Sequence, residues 1–136
     1  IQSVKAVCSL SGRLSGLNAG YFFSSRQIKE LEDTGKVSFT SRGRSLQLST
    51  EFFADTKRYD LPETLKSLQI PLMVVHGEAD EIIPVKDAYL AKKLNPEHAE
   101  LAVIPGADHM FSNGMHRVET VQLVVKWFKE HVYEPL

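Results

Sequence analysis

The sequence predicts an α/β fold: an open parallel sheet of about three strands with crossover helices and a helix and β-hairpin insertion. Three observations predict it. Short, nearly unbroken apolar runs at residues 4–10, 71–76 and 99–104 end at Ser11-Gly12, Gly77 and Pro105-Gly106, as strands buried on both faces do. Apolar residues at helical spacing follow the second and third runs. A length of 136 residues with 43% hydrophobic content suits one globular domain.

Residues 4–10 are the first strand, rich in β-branched and small side chains. From 13 to 68 the character changes, and this stretch reads as an excursion from the sheet. Ser25 is placed to cap a helix through Glu32 that stops near Gly35. Val37-Ser38-Phe39-Thr40 alternates in strand fashion and leads through Ser41-Arg42-Gly43-Arg44 to Leu46-Gln47-Leu48, which predicts a hairpin. Residues 50–59 and 62–68 predict two short helices, with Asp60 as a cap and Pro62 near the first helical position. Phe22, Phe23, Phe52 and Phe53 read as ordinary core, with an acyl pocket as the alternative.

Residues 71–76 form the second strand and 99–104 the third. Between them, residues 85–94 place Ala88, Ala91 and Leu94 on one side, after Pro84 and before Asn95-Pro96, which predicts a crossover helix. At the end of the chain Val118, Val121, Val125, Phe128 and Val132 recur at helical intervals. Trp127 stands beside them, with Lys126 and Lys129 available to face water. That is the pattern of a closing amphipathic helix.

Charge and cysteine content exclude several classes. With 16 basic and 17 acidic side chains and a net charge of -1, no strong field gathers nucleic acid or anionic lipid. No apolar run approaches the ~20 residues that cross a bilayer. The single Cys8 forms no intrachain disulfide and fits no zinc spacing, so a cytoplasmic protein without metal or cofactor is expected. No phosphate-cradling glycine-rich loop follows a strand, which disfavours nucleotide binding. Lys92-Lys93 and Arg42 to Arg44 read as solvated faces. The chain starts with Ile1 and reaches strand-like sequence almost at once, so a truncated or processed chain is expected.

The chemistry concentrates in two motifs, His76-Gly77-Glu78-Ala79-Asp80-Glu81-Ile82-Ile83-Pro84 and Gly106-Ala107-Asp108-His109. Each follows a strand, where ligands of open α/β sheets sit. An imidazole acting as general base needs a carboxylate on its other nitrogen to fix its tautomer and stabilise the imidazolium. Asp80 and His109, in the order acid then histidine, fit that pairing; Glu81 and Asp108 compete for the acid role. His76 reads as a hydrogen-bonded structural residue, His116 as flanking the last helix, and His98 and His131 as solvated. No metal-ligand cluster is formed.

These motifs resemble those of the α/β-hydrolase superfamily, in particular its esterase-like and serine-aminopeptidase-like members. The segment Leu72-Met73-Val74-Val75-His76-Gly77-Glu78-Ala79-Asp80-Glu81-Ile82-Ile83-Pro84 is similar to the family's acid motif, and Ile104-Pro105-Gly106-Ala107-Asp108-His109-Met110-Phe111 to its histidine motif. The resemblance implies Asp80 as the acid and His109 as the catalytic histidine. It also implies that residues 4–13 are the strand after the nucleophile helix, and that 13–68 is a cap insertion. The chain then corresponds to the C-terminal part of such a domain. The implied activity is hydrolysis of carboxylic esters or small amides without a cofactor.

The nucleophile turn is missing. No Gly-x-Ser-x-Gly occurs, Ser11 lacks a glycine two residues before it, and Ser45 lacks one two residues after it. Ser11 and Arg13, with Phe111, are expected at the substrate-binding edge of the site. The partner expected is the missing N-terminal hydrolase segment, or a second copy meeting the exposed sheet edge. A non-catalytic α/β domain, either a degenerate hydrolase or a binding module, is the alternative.

Overall fold

The three apolar runs become the strands of one parallel sheet. A computed structural model gives the structure, which describes residues 4–16 and 22–132. Along the chain run β1 (Val7–Leu10), α1 (Ser25–Thr34), β2 (Lys36–Ser41), β3 (Arg44–Ser49), α2 (Thr50–Thr56), α3 (Leu61–Ser67), β4 (Leu72–Gly77), α4 (Lys86–Leu94), β5 (Ala99–Ile104) and α5 (Gly114–Val132). The chain divides into two compact units, Ile1–Ser15 with Leu61–Leu136, and Gly16–Asp60.

In the first unit the sheet order is β1-β4-β5. Both pairings are parallel, with Leu10 opposite Val75 and Gly77 opposite Ile104. The central strand is buried throughout because both of its faces are covered. Leu72 and Val74 join Leu65, Ala88, Ala91 and Ala99 on one side. Met73 and Val75 join Ile104, Ala107, Phe111 and Trp127 on the other. Alanines at 88 and 91, one helical turn apart, let α4 lie close to the strands.

The closing helix packs differently from its valine spacing. Trp127 and Thr120 are buried, with Leu123, Val124 and Phe128 packed around the core. Val118, Val121, Val125 and Val132 are exposed, together with Met115. Polar anchoring sets this rotation. Trp127 Nε1 donates to Glu100 Oε1 at 2.7 Å, and the His131 ring stacks on Trp127 at 4.5 Å with Nε2 3.1 Å from Glu100 Oε1. His131 is therefore docked rather than solvated. His98 is also engaged, its backbone N–H donating to Asn95 Oδ1 at 3.1 Å. Lys92 is more than a solvated charge, because its Nζ donates to the carbonyls of Pro96 and Ala99 at 3.0 and 2.8 Å.

The second unit is a helix, a hairpin and a short helix. Ser24, not Ser25, caps α1: its hydroxyl accepts from Gln27 N, and Gln27 reaches back to the Ser24 N–H. This reciprocal box requires a Gln or Glu three residues on, which selects Ser24. Gly35 closes the helix at φ 74°. The hairpin turns at Arg42 and Gly43, with φ 49° and 75°, the positive pair that matches strand twist in a two-residue turn. Val37 is fully buried, and Phe23 meets Phe39 and Phe53 edge to face at 5.8 and 5.9 Å. Phe22 and Phe52 are exposed. The second helix of the stretch, α2, stops at Thr56, short of the expected residue 59.

Candidate functional site

The loops after β4 and β5 are bound to each other along their backbones. Glu78 N donates to Ile104 O at 3.0 Å and Ala79 N to Ala107 O at 2.9 Å. Gly106 N in turn donates to Glu78 Oε2 at 3.0 Å. This approach depends on Gly77: a Cβ there would fall on the Ala107 carbonyl and lie 2.8 Å from Asp108 O. The glycine that ends β4 therefore has a role beyond turning the chain.

The joined loops bring Asp80 to His109. Asp80 Oδ2 lies 2.9 Å from His109 Nδ1, while Oδ1 accepts from Ile82 N at 2.9 Å and Ile83 N at 2.8 Å. The carboxylate is fully buried and the imidazole side chain 30% exposed. Burial is the largest single influence on Asp80 and disfavours its charge. The hydrogen bonds from Ile83, His109 and Ile82 together outweigh it and hold the carboxyl below its usual range. An ionised acid behind a partly exposed imidazole is an arrangement able to serve proton transfer: Nδ1–H faces the acid, and Nε2 is left to take a proton.

The acid on His109 Nδ1 is Asp80, and the two competing acids are placed differently. Glu81 is exposed, and Asp108 Oδ1 accepts from Ser112 N at 2.7 Å. A cleft of about 460 Å³ beside the imidazole is lined by Ala79, Glu81, Ile82, Asp108, His109 and Met110. Ile82 and Met110 are exposed apolar residues, and sequence reasoning passed over both; their only signal was adjacency to the motif residues.

The three expected edge residues lie outside that lining. Ser11 ends β1 at φ 48°, donates its N–H to Val75 O at 2.9 Å and is buried. Among the described residues its hydroxyl has no hydrogen-bond partner. Phe111 packs into the core with Met73, Val75 and Trp127. Arg13 favours the charge on Asp87, a residue the sequence did not single out. Asp87 is buried, and its Oδ2 accepts from Leu14 N at 2.8 Å, Ser15 N at 3.0 Å and Ser15 Oγ at 2.9 Å. It thereby ties the segment after β1 to α4. Among the described residues no group of His, Cys, Asp and Glu is arranged to hold a metal ion, and no helix is long and apolar enough to cross a membrane.

Residues 25–134 match the model of the prolyl oligopeptidase family. The chain belongs to that family. A monoacylglycerol lipase of Mycolicibacterium smegmatis is 32% identical over 73 residues, which is 53% of this chain and 26% of the lipase. Two solved structures share the fold. The α/β hydrolase domain-containing protein 10 from mouse superposes with a TM-score of 0.73 at 17% identity, over 95% of this chain and 54% of that one. Est1E from Butyrivibrio proteoclasticus superposes with a TM-score of 0.72 at 20% identity, over 96% and 52%. The fold is thus that of the α/β hydrolases, and the chain spans about half the length of these structures. The expected superfamily and fold class are both borne out.

Proposed function

We propose that this prolyl oligopeptidase family chain supplies the acid and base of a serine hydrolase acting on carboxylic esters or small amides. The bond of 2.9 Å between buried Asp80 and half-exposed His109 carries this reading. The nucleophile is a serine outside these residues, in the gene product that contains them. His109 Nε2 takes the proton of the serine hydroxyl as its oxygen attacks the carbonyl carbon, and Asp80 stabilises the imidazolium formed. The imidazolium then protonates the leaving alcohol or amine as the carbon–heteroatom bond breaks. Water, activated by the same imidazole, hydrolyses the acyl-enzyme and restores the serine.

Residues 13–68 are proposed as the family's variable insertion between β1 and β4, and the half-buried thiol of Cys8 suits a cytoplasmic setting. The test is hydrolysis of short p-nitrophenyl esters by the gene product. Activity is expected to disappear in His109→Ala and Asp80→Asn; full activity in both would sink the assignment.

One observation favours a second reading, a non-catalytic domain that acts by association. Met115, Val118, Val121 and Val125 form an exposed apolar stripe on α5, and Val7 and Leu10 are exposed on β1. Such surface is ordinarily covered by a partner. A hydrolase completed by further chain covers it as well, so ester hydrolysis separates the two readings.

A further inference from the structure

The reading above makes no use of His76, a buried, titratable side chain next to the last residue of β4, before the acid loop. It is fully buried. Its Nε2 lies 2.8 Å from Ile83 O and 3.1 Å from Asp80 Oδ2. Both neighbours are acceptors, so Nε2 carries the hydrogen. Among the described residues Nδ1 has no hydrogen-bond partner. An apolar side chain would fill this core position without burying an unsatisfied nitrogen, which ordinarily costs stability. What histidine adds is the N–H at Nε2.

That N–H closes a ring of contacts around the acid. His76 holds the Ile83 carbonyl, the Ile83 N–H holds Asp80 Oδ1 at 2.8 Å, and Asp80 Oδ2 returns to His76. The same Oδ2 is the atom that meets His109. We propose that His76 is a positioning residue for the acid: it locks the carboxylate so that Oδ2 stays aimed at His109 Nδ1. This inference rests on the assignment of Asp80 and His109 to ester or amide hydrolysis. It adds a third residue acting through Asp80, without contact to the substrate.

The experiment compares His76→Leu and His76→Gln in the gene product, with p-nitrophenyl acetate as substrate. Leucine keeps the volume and removes the donor; the glutamine amide reaches about as far as Nε2. Losing the hydrogen bond to Ile83 O, and with it the Nε2 contact to Asp80 Oδ2, is expected to lower kcat roughly tenfold in His76→Leu, with KM unchanged within about twofold. Glutamine should restore most of that loss. The low-field proton resonance of His109 Nδ1–H should move in the leucine variant and return in the glutamine variant, a readout that packing alone does not shift.

Wild-type kcat and resonance in His76→Leu would overturn the proposal, as would a glutamine variant no better than leucine. Should His76→Leu not fold, His76→Asn takes its place, since its shorter amide does not reach Ile83 O and Asp80 together; equal rates for Asn and Gln would then refute the role. The two failures are distinguishable. Activity that survives His109→Ala defeats the hydrolase reading, whereas a resonance that ignores residue 76 defeats only this one.

Discussion

Asp80 reaches His109 across 29 positions of sequence and gives each of its oxygens a separate task, Oδ2 for the imidazole and Oδ1 for the amides of Ile82 and Ile83. Asparagine cannot reproduce this. Its amide nitrogen would face either two N–H donors or the Nδ1–H, and in the second case the imidazole is driven into the wrong tautomer. Asp80→Asn should therefore lower kcat by roughly four orders of magnitude, the scale seen for such replacements in serine hydrolases. Stopped assays at high enzyme concentration measure this; a loss of less than about tenfold would show that His109 works without its acid.

Gly77 is where the acid and histidine loops touch. Gly77→Ala places a methyl group against the Ala107 carbonyl and Asp108 O, backbone atoms that are also held by hydrogen bonds. The expected cost is about 3 kcal/mol, the upper end for overpacking. Urea unfolding checks it, and an unchanged midpoint would mean that the loops can separate freely.

Acid should weaken the fold through two buried carboxylates. Burial is the largest influence on both Asp80 and Asp87, but hydrogen bonds outweigh it and lower both relative to ordinary aspartate. A lowered folded value means that ionisation favours the fold. The stability is fully present above about pH 4 and is lost as pH falls through the lower folded values. Asp87→Asn should flatten the acid limb of a stability profile. A profile that steepens would contradict the sign.

The isolated 136-residue chain should self-associate through its exposed apolar surface. Sedimentation should show oligomers that shift toward monomer in Val121→Lys with Val125→Lys, since two charges on the α5 stripe oppose its burial. A monomeric parent chain, stable over a wide concentration range, would contradict this.

The sheet was legible in the sequence because burial on both faces removes alternation, so Leu72 to Val75 could hardly be anything but a covered strand. The pairing of Asp80 with His109 was legible because both sit directly after such strands. The orientation of α5 was not, for a physical reason: apolar residues occupy both sides of the helix, and the choice is made by Trp127 and His131 meeting Glu100, a contact between residues 27 or more apart. Asp87 was equally hidden. A carboxylate in the first turn of a helix looks like a local dipole partner, and nothing nearby announces that it receives the amides of Leu14 and Ser15, more than 70 residues earlier. The Ser24 cap turned on which of two adjacent serines has Gln27 at the right distance.

The central claim is that His109, held by Asp80, activates a serine outside these residues. Labelling with a fluorophosphonate probe, followed by peptide mapping, tests it most directly. The account predicts stoichiometric labelling of the gene product at a serine outside this chain, abolished in His109→Ala, and no labelling of the isolated chain. Stoichiometric labelling at Ser11 or Ser45, or an undiminished rate in His109→Ala, would contradict it.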